Sequence, residues 1–171
     1  MIVRPENPDD PAERLAIRAV HEAAFGRPDE ADLVDTLRAE NVVLASLVAE
    51  REHRIVAHIL FSRVWIATVP AVALAPVAVL PEYQRQGIGA VLITRGIDSM
   101  RTQDEQIILV LGHPEYYARF GFAIEAARNF EIPFPPEAFM AMELSPGALA
   151  QVRGEVRYPG AFGLPKPFTI A

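Results

Sequence analysis

The segment from Val42 to Leu80 constrains the fold more than any other part of the chain. It carries three apolar runs rich in β-branched residues: VVLASLVAE (42–50), RIVAHILFSRVWI (54–66) and AVALAPVAVL (71–80). The polar stretch REHR separates the first two, which predicts an antiparallel hairpin in a largely buried sheet, followed by a third long strand. Pro76 lies inside that third strand. Proline cannot donate to a ladder and is confined to edges and bulges. The strand is too apolar for an edge, so a bulge is predicted near residues 75–77.

The remaining elements follow from periodicity and punctuation. MIVRP reads as a short first strand. Residues 11–25 read as a helix with Leu15, Ala16, Ala19, Val20 and Ala23 on its inner face, Asp10 as its N-cap and Pro11 at its first position. A second helix covers 29–39, with Leu33, Val34 and Leu37 inward. Residues 87–101 form a third, with Ile88, Val91 and Leu92 inward. QIILVLG is a strand, PEYYARFG a short helix from Pro114 capped by Gly121, and FMAMEL a late strand. NFEIPFPPEAF is expected as a surface loop near the site, and RYPGAFGLPKPF as packed coil. Strand, two helices, three strands, helix, strand, helix, strand is the order of a mixed α/β sheet.

Composition narrows the functional classes. The 171 residues are 51% hydrophobic and 22% charged, which fits one soluble domain, 1–171. A net charge of −6 argues against nucleic acid as the main partner. The absence of cysteine excludes a thiol nucleophile, a disulfide framework and a thiolate metal site. No apolar run reaches the roughly 18 residues that cross a bilayer. The opening MIVRPENPDD lacks the apolar core of a signal peptide, so a cytoplasmic location is the expectation.

The chemistry concentrates in VAVLPEYQRQGIGAVL (77–92). A strand running into a glycine turn and then a helix offers backbone N–H groups and the positive end of a helix dipole to an anion. Gly87 and Gly89 let a phosphate approach the backbone, and Arg85 adds a forked cation. No GK[ST] follows, so this is not a Walker loop, and the third glycine of the dinucleotide fingerprint is missing. On spacing alone, a tight strand-to-helix turn fits equally well.

The stretch VAVLPEYQRQGIGAVLITRGID resembles the acetyl-CoA signature of the GCN5-related N-acetyltransferases (GNAT superfamily): Gln or Arg, two residues, Gly, one residue, Gly or Ala. Gln84, Gly87 and Gly89 fill it, with Ala90 after. YYARFGF is similar to the later Tyr-x-x-x-Gly-Phe element, through Tyr117, Gly121 and Phe122. VLGHPEYYARFGF resembles a bacterial, largely uncharacterised subgroup in which Asp usually stands in place of His113.

The resemblance implies a GNAT fold: a mixed, mostly antiparallel sheet flanked by helices, with a bulged and splayed fourth strand. It implies a core over about 1–125, with 126–171 completing the sheet and covering the site. It implies acetyl-CoA as co-substrate without a metal. The pantetheine arm would pair with Val77, Ala78 and Val79, and the diphosphate would sit on the N–H groups of Gln84, Arg85, Gln86, Gly87, Ile88, Gly89 and Ala90. Transfer would run directly to a primary amine of a small molecule or protein within a ternary complex. A backbone N–H at the bulge, from Ala78 or a neighbour, would polarise the thioester carbonyl. Tyr117 would protonate or steady the thiolate. A homodimer is also consistent with the superfamily; nucleic acid and membrane are not expected partners.

The base is open at this stage. Many relatives carry Glu on the fourth strand, whereas AVALAPVAVL has no ionisable side chain. His113, His58 and Glu115 are the candidate side chains, and a water relay or the binding of an already neutral amine stands level with them. A non-catalytic acyl-CoA sensor and an interaction module are the alternatives to an enzyme.

Overall fold

A computed structural model describes residues 1–164. The elements run β1 (Ile2–Pro5), α1 (Pro11–Phe25), α2 (Asp29–Ala39), β2 (Val43–Arg51), β3 (Arg54–Ile66), β4 (Val69–Val79), α3 (Ile88–Thr102), β5 (Ile107–Leu111), α4 (Pro114–Tyr117), β6 (Phe130–Glu131), β7 (Phe139–Glu143) and β8 (Gly154–Arg157). The strand order is β1-β2-β3-β4-β5-β7, with β8 on β3 and β6 on β8. β1–β2 and β5–β7 are antiparallel, whereas β4–β5 is parallel. Cα proximity groups the chain into two compact units: Met1–Phe61 with Ala75–Ser99, and Ser62–Leu74 with the chain from Met100 on.

The first unit holds β1, β2, most of β3, the end of β4, α1, α2 and most of α3. Glu52 and His53 carry the β2–β3 turn at φ 52° and 61°. Two consecutive positive φ values give the primed turn whose twist suits a hairpin. Asp10 caps α1 by accepting from Ala12 N–H at 2.9 Å, and Gly26 closes it at φ 68°. The buried face of α1 is not the one its aliphatic residues predict. Glu13, Ile17, Val20 and His21 are buried, while Leu15 is 69% exposed. The helix is rotated because both polar residues find partners inside: Glu13 takes two bonds from Arg4 at 3.0 Å and one from Asn7 N–H at 2.7 Å, and His21 meets His58. On α2 the buried residues are Ala31, Val34 and Leu37, with Leu33 half-buried. On α3, Ile88, Leu92, Ile93 and Ile97 are buried and Val91 is turned out, 37% exposed.

In the second unit Val64, Ile66, Ala73, Ile107, Leu109, Phe139, Ala141 and Val156 form one apolar cluster. The proline- and phenylalanine-rich stretch joins this core instead of lying over the surface. Phe130 and Phe139 are buried, and Phe134 stacks on Phe139 at 5.7 Å and meets Tyr158 edge-on at 5.4 Å. The tail expected as coil begins inside β8, which pairs through Ile66↔Val156 and Trp65↔Arg157. Gly160–Phe162 follows as a 3₁₀ turn, and residues 165–168 of that tail lie outside the described residues.

Candidate active site

β4 pairs with β5 through Val72↔Ile108 and Ala73↔Leu109, then runs on to Val79. Where the sequence predicts a bulge, the Ala75–Pro76 peptide is cis. Leu80 N–H donates to Val56 O at 2.9 Å, which sets the antiparallel register and puts His58 across from Ala78. A 3₁₀ turn over Pro81–Tyr83 leads into the glycine loop, where Arg85 has φ 60° and Gly87 φ 81°. A Cβ on Gly87 would meet nothing within 4 Å, so glycine is there for its backbone conformation.

The side chains of this loop brace its own backbone. Gln84 Nε2 donates to Val79 O at 2.9 Å, and Gln86 Nε2 donates to Glu82 O at 3.1 Å. Arg51 donates to Gln86 Oε1 at 3.0 Å and lies over the Tyr83 ring at 5.7 Å, while Arg54 pairs with Glu82 at 3.2 Å. Gln84 N–H is drawn toward Pro81 O at 3.3 Å. Gln84, Arg85, Gln86 and Gly87 are exposed, and α3 begins at Ile88 with Gly89 and Ala90 in its first turn. The first N–H groups of that helix have no intrahelical acceptor, so the loop presents donors with partial positive charge.

Tyr117 sits at the end of α4, its ring buried and met edge-on by Tyr116 at 5.1 Å and Phe122 at 5.8 Å. Burial, aided by Tyr116, pushes its phenol up to about 12. His113 precedes α4 and is exposed; its carbonyl accepts from Tyr116 N at 3.0 Å and Tyr117 N at 3.1 Å. With Glu115, Tyr116 and Arg119 it lines a surface cavity, in which the Arg119 guanidinium lies 4.6 Å over the Tyr116 ring. Among the described residues no group of three or more His, Asp or Glu could hold a metal, and no helix is long and apolar enough to cross a membrane.

A polar chain that the sequence does not reveal runs through the first unit. Arg38 donates to Glu6 Oε1 at 2.5 Å, Ser46 donates to Glu6 Oε2, Ser46 Oγ lies 2.7 Å from His58 Nε2, and His58 Nδ1 lies 2.8 Å from His21 Nε2. The Ser46 proton goes to the carboxylate, so Ser46 accepts from His58 Nε2–H. His58 Nδ1 then accepts from His21 Nε2–H. His21 Nδ1 is left buried without a partner. Burial works to raise Glu6, but the His58 and Ser46 side chains and the Arg38 charge outweigh it and hold the carboxyl at about 2. Burial lowers both imidazoles: His21 to about 3, with His58 and Arg38 adding to the effect, and His58 against the opposing pull of Glu6. Both ring nitrogens of His58 are therefore committed, which removes it from the candidates for the base.

A mixed sheet with a parallel β4–β5 pair, and a β4 that runs on into a glycine turn and the N-terminus of α3, is the arrangement of the GNAT fold. The model of the Acetyltransferase (GNAT) family matches residues 14–122, and the chain belongs to that family. It is 39% identical over 150 residues to the uncharacterized N-acetyltransferase YjhQ of Escherichia coli, covering 83% of each chain. The crystal structure of the GNAT family N-acetyltransferase YhbS of E. coli, solved in complex with CoA, superposes with a TM-score of 0.87 at 30% identity, over 95% of this chain and 92% of that one. A GNAT family acetyltransferase of Brucella melitensis, solved in complex with acetyl-CoA, superposes with a TM-score of 0.79 at 33% identity, over 94% and 97%.

Proposed function

We propose that the chain is an acetyl-CoA-dependent N-acetyltransferase that moves an acetyl group directly to a primary amine of a small molecule or protein. The observation that carries this reading is the braced loop at 84–90, which offers backbone donors to an anion at the end of β4. Relatives solved with CoA and acetyl-CoA support it. The diphosphate takes the N–H groups from Gln86 to Ala90, with Arg85 alongside. The pantetheine arm runs along Val77 to Val79, and Ala78 N–H polarises the thioester carbonyl. Attack by the neutral amine forms the amide bond, breaks the C–S bond and leaves a thiolate. A thiol ordinarily titrates near ~8.5. The Tyr117 phenol, raised to about 12, therefore keeps its proton and steadies the sulfur as a hydrogen-bond donor. The amine supplies the proton that finally reaches the thiol, and His113 is the exposed group assigned to receive it first.

Calorimetric titration with acetyl-CoA tests the cofactor, and thiol release with amino acids, polyamines, aminoglycosides and peptides tests turnover. Binding with thiol release above hydrolysis for at least one amine is expected. Absence of binding would sink the reading. Binding without turnover would favour a sensor, the reading supported by the lack of any ionisable side chain on β4 between residues 71 and 79.

A further inference from the structure

We propose that Gly112 is a positioning residue for Tyr117: its bare backbone is one wall of the slot that holds the phenol, and a side chain there would displace the hydroxyl. The inference rests on the role given to Tyr117 above. A Cβ built on Gly112 would lie 2.4 Å from Tyr117 Cε2, 3.0 Å from Cδ2 and 3.4 Å from Cζ. Gly112 is not among the residues with positive φ, so its backbone conformation would accept a side chain. Only the ring forbids one. Gly121, ten residues before the end of β6, differs: there φ is 104° and the conformation itself calls for glycine.

Neither partner can yield cheaply. Gly112 follows β5 and is tied by its N–H to Ala138 O at 2.9 Å. The ring is held from other sides by the edges of Tyr116 and Phe122. Its backbone is tied by Tyr117 N–H to His113 O at 3.1 Å. An added methyl must therefore push the ring along its own plane or tilt it. Displacement by about 1 Å is enough to cost a positioned group a large part of its contribution.

The test is a cycle of Gly112→Ala and Tyr117→Phe, followed by kcat and KM in thiol release with acetyl-CoA and whichever amine of the panel turns over. Gly112→Ala should lower kcat at least about tenfold in the chain that keeps Tyr117, and by less than about twofold once the hydroxyl is gone. Equal losses in both backgrounds would overturn the proposal. Tyr117→Phe at the full rate would instead overturn the role of Tyr117. A thermal cycle reads the slot without any activity: Gly112→Ala should lower Tm beside Tyr117 and lower it far less beside Tyr117→Ala, where the space is vacated. An equal fall in both would refute the slot itself.

Discussion

Lowering the pH from 7 to 5 should destabilise the fold by about 2 kcal/mol through His21 alone. A free imidazole titrates near ~6.5. His21 in the folded chain is held at about 3 by burial. Between those values the unfolded chain binds a proton that the folded chain refuses, so stability is present in full above the unfolded value and is lost as the pH falls below it. At pH 5 the unfolded imidazole lies about 1.5 units below its midpoint, at ~1.4 kcal/mol per unit, which gives the figure of about 2 kcal/mol. His58, also lowered by burial, acts in the same direction. Glu6, held at about 2, contributes stability that is lost only at lower pH, as the pH falls below the ordinary carboxyl range. The assay is urea unfolding at pH 7, 6 and 5 at fixed ionic strength, with constant m showing that stability and not compactness has changed. His21→Gln keeps a side-chain donor for His58 and does not titrate. Its loss between pH 7 and 5 should be smaller than that of the parent by about 2 kcal/mol. Parallel profiles for the two chains would refute a neutral, buried His21.

Other perturbations separate packing from polar pairing. Ser46→Ala leaves His58 Nε2–H and a Glu6 oxygen without their shared partner, and should cost about 1–3 kcal/mol in urea unfolding. Gly96→Ala would set a Cβ 2.1 Å from Phe61 Cε2, and should cost about 1–3 kcal/mol by overpacking, with acetyl-CoA affinity kept once the protein is folded. Arg51→Ala removes both the bond to Gln86 and the cover over Tyr83. Acetyl-CoA binding should weaken several-fold by calorimetry while the stability changes by less than about 1 kcal/mol.

What the sequence discloses is what local pattern encodes. The three long strands, the glycine turn and α3 are legible because apolar runs, a short polar turn and a strand–turn–helix order are near-neighbour properties. The face of α1 is not legible, because Glu13 and His21 are buried by partners at Arg4 and His58 that no spacing on the helix discloses. β6 and β8 are short and owe their existence to long-range pairing. The polar chain joins residues 6, 21, 38, 46 and 58; only His58 stands out in its own segment, and nothing local ties it to the others. Gly112 reads in sequence as the last residue of the strand QIILVLG, and only the approach of the Tyr117 ring shows why it has no side chain.

Gln84 gives the sharpest separation between a ligand contact and a brace. The pattern it fills admits Gln or Arg, both of which end a long side chain in a donor. In this chain that donor is spent on Val79 O, at the point where β4 stops and the loop begins. The bond joins two groups of the protein itself, so its loss should register in stability as well as in binding. Gln84→Met keeps the length and removes the donor without adding charge. It should lower stability by about 0.5–1 kcal/mol and weaken acetyl-CoA binding, because the loop donors lose their fixed places. Gln84→Arg restores a donor and should recover most of both. If Gln84→Met unfolds at the parent's urea midpoint and yet loses affinity, the side chain acts on the ligand and the brace is incidental.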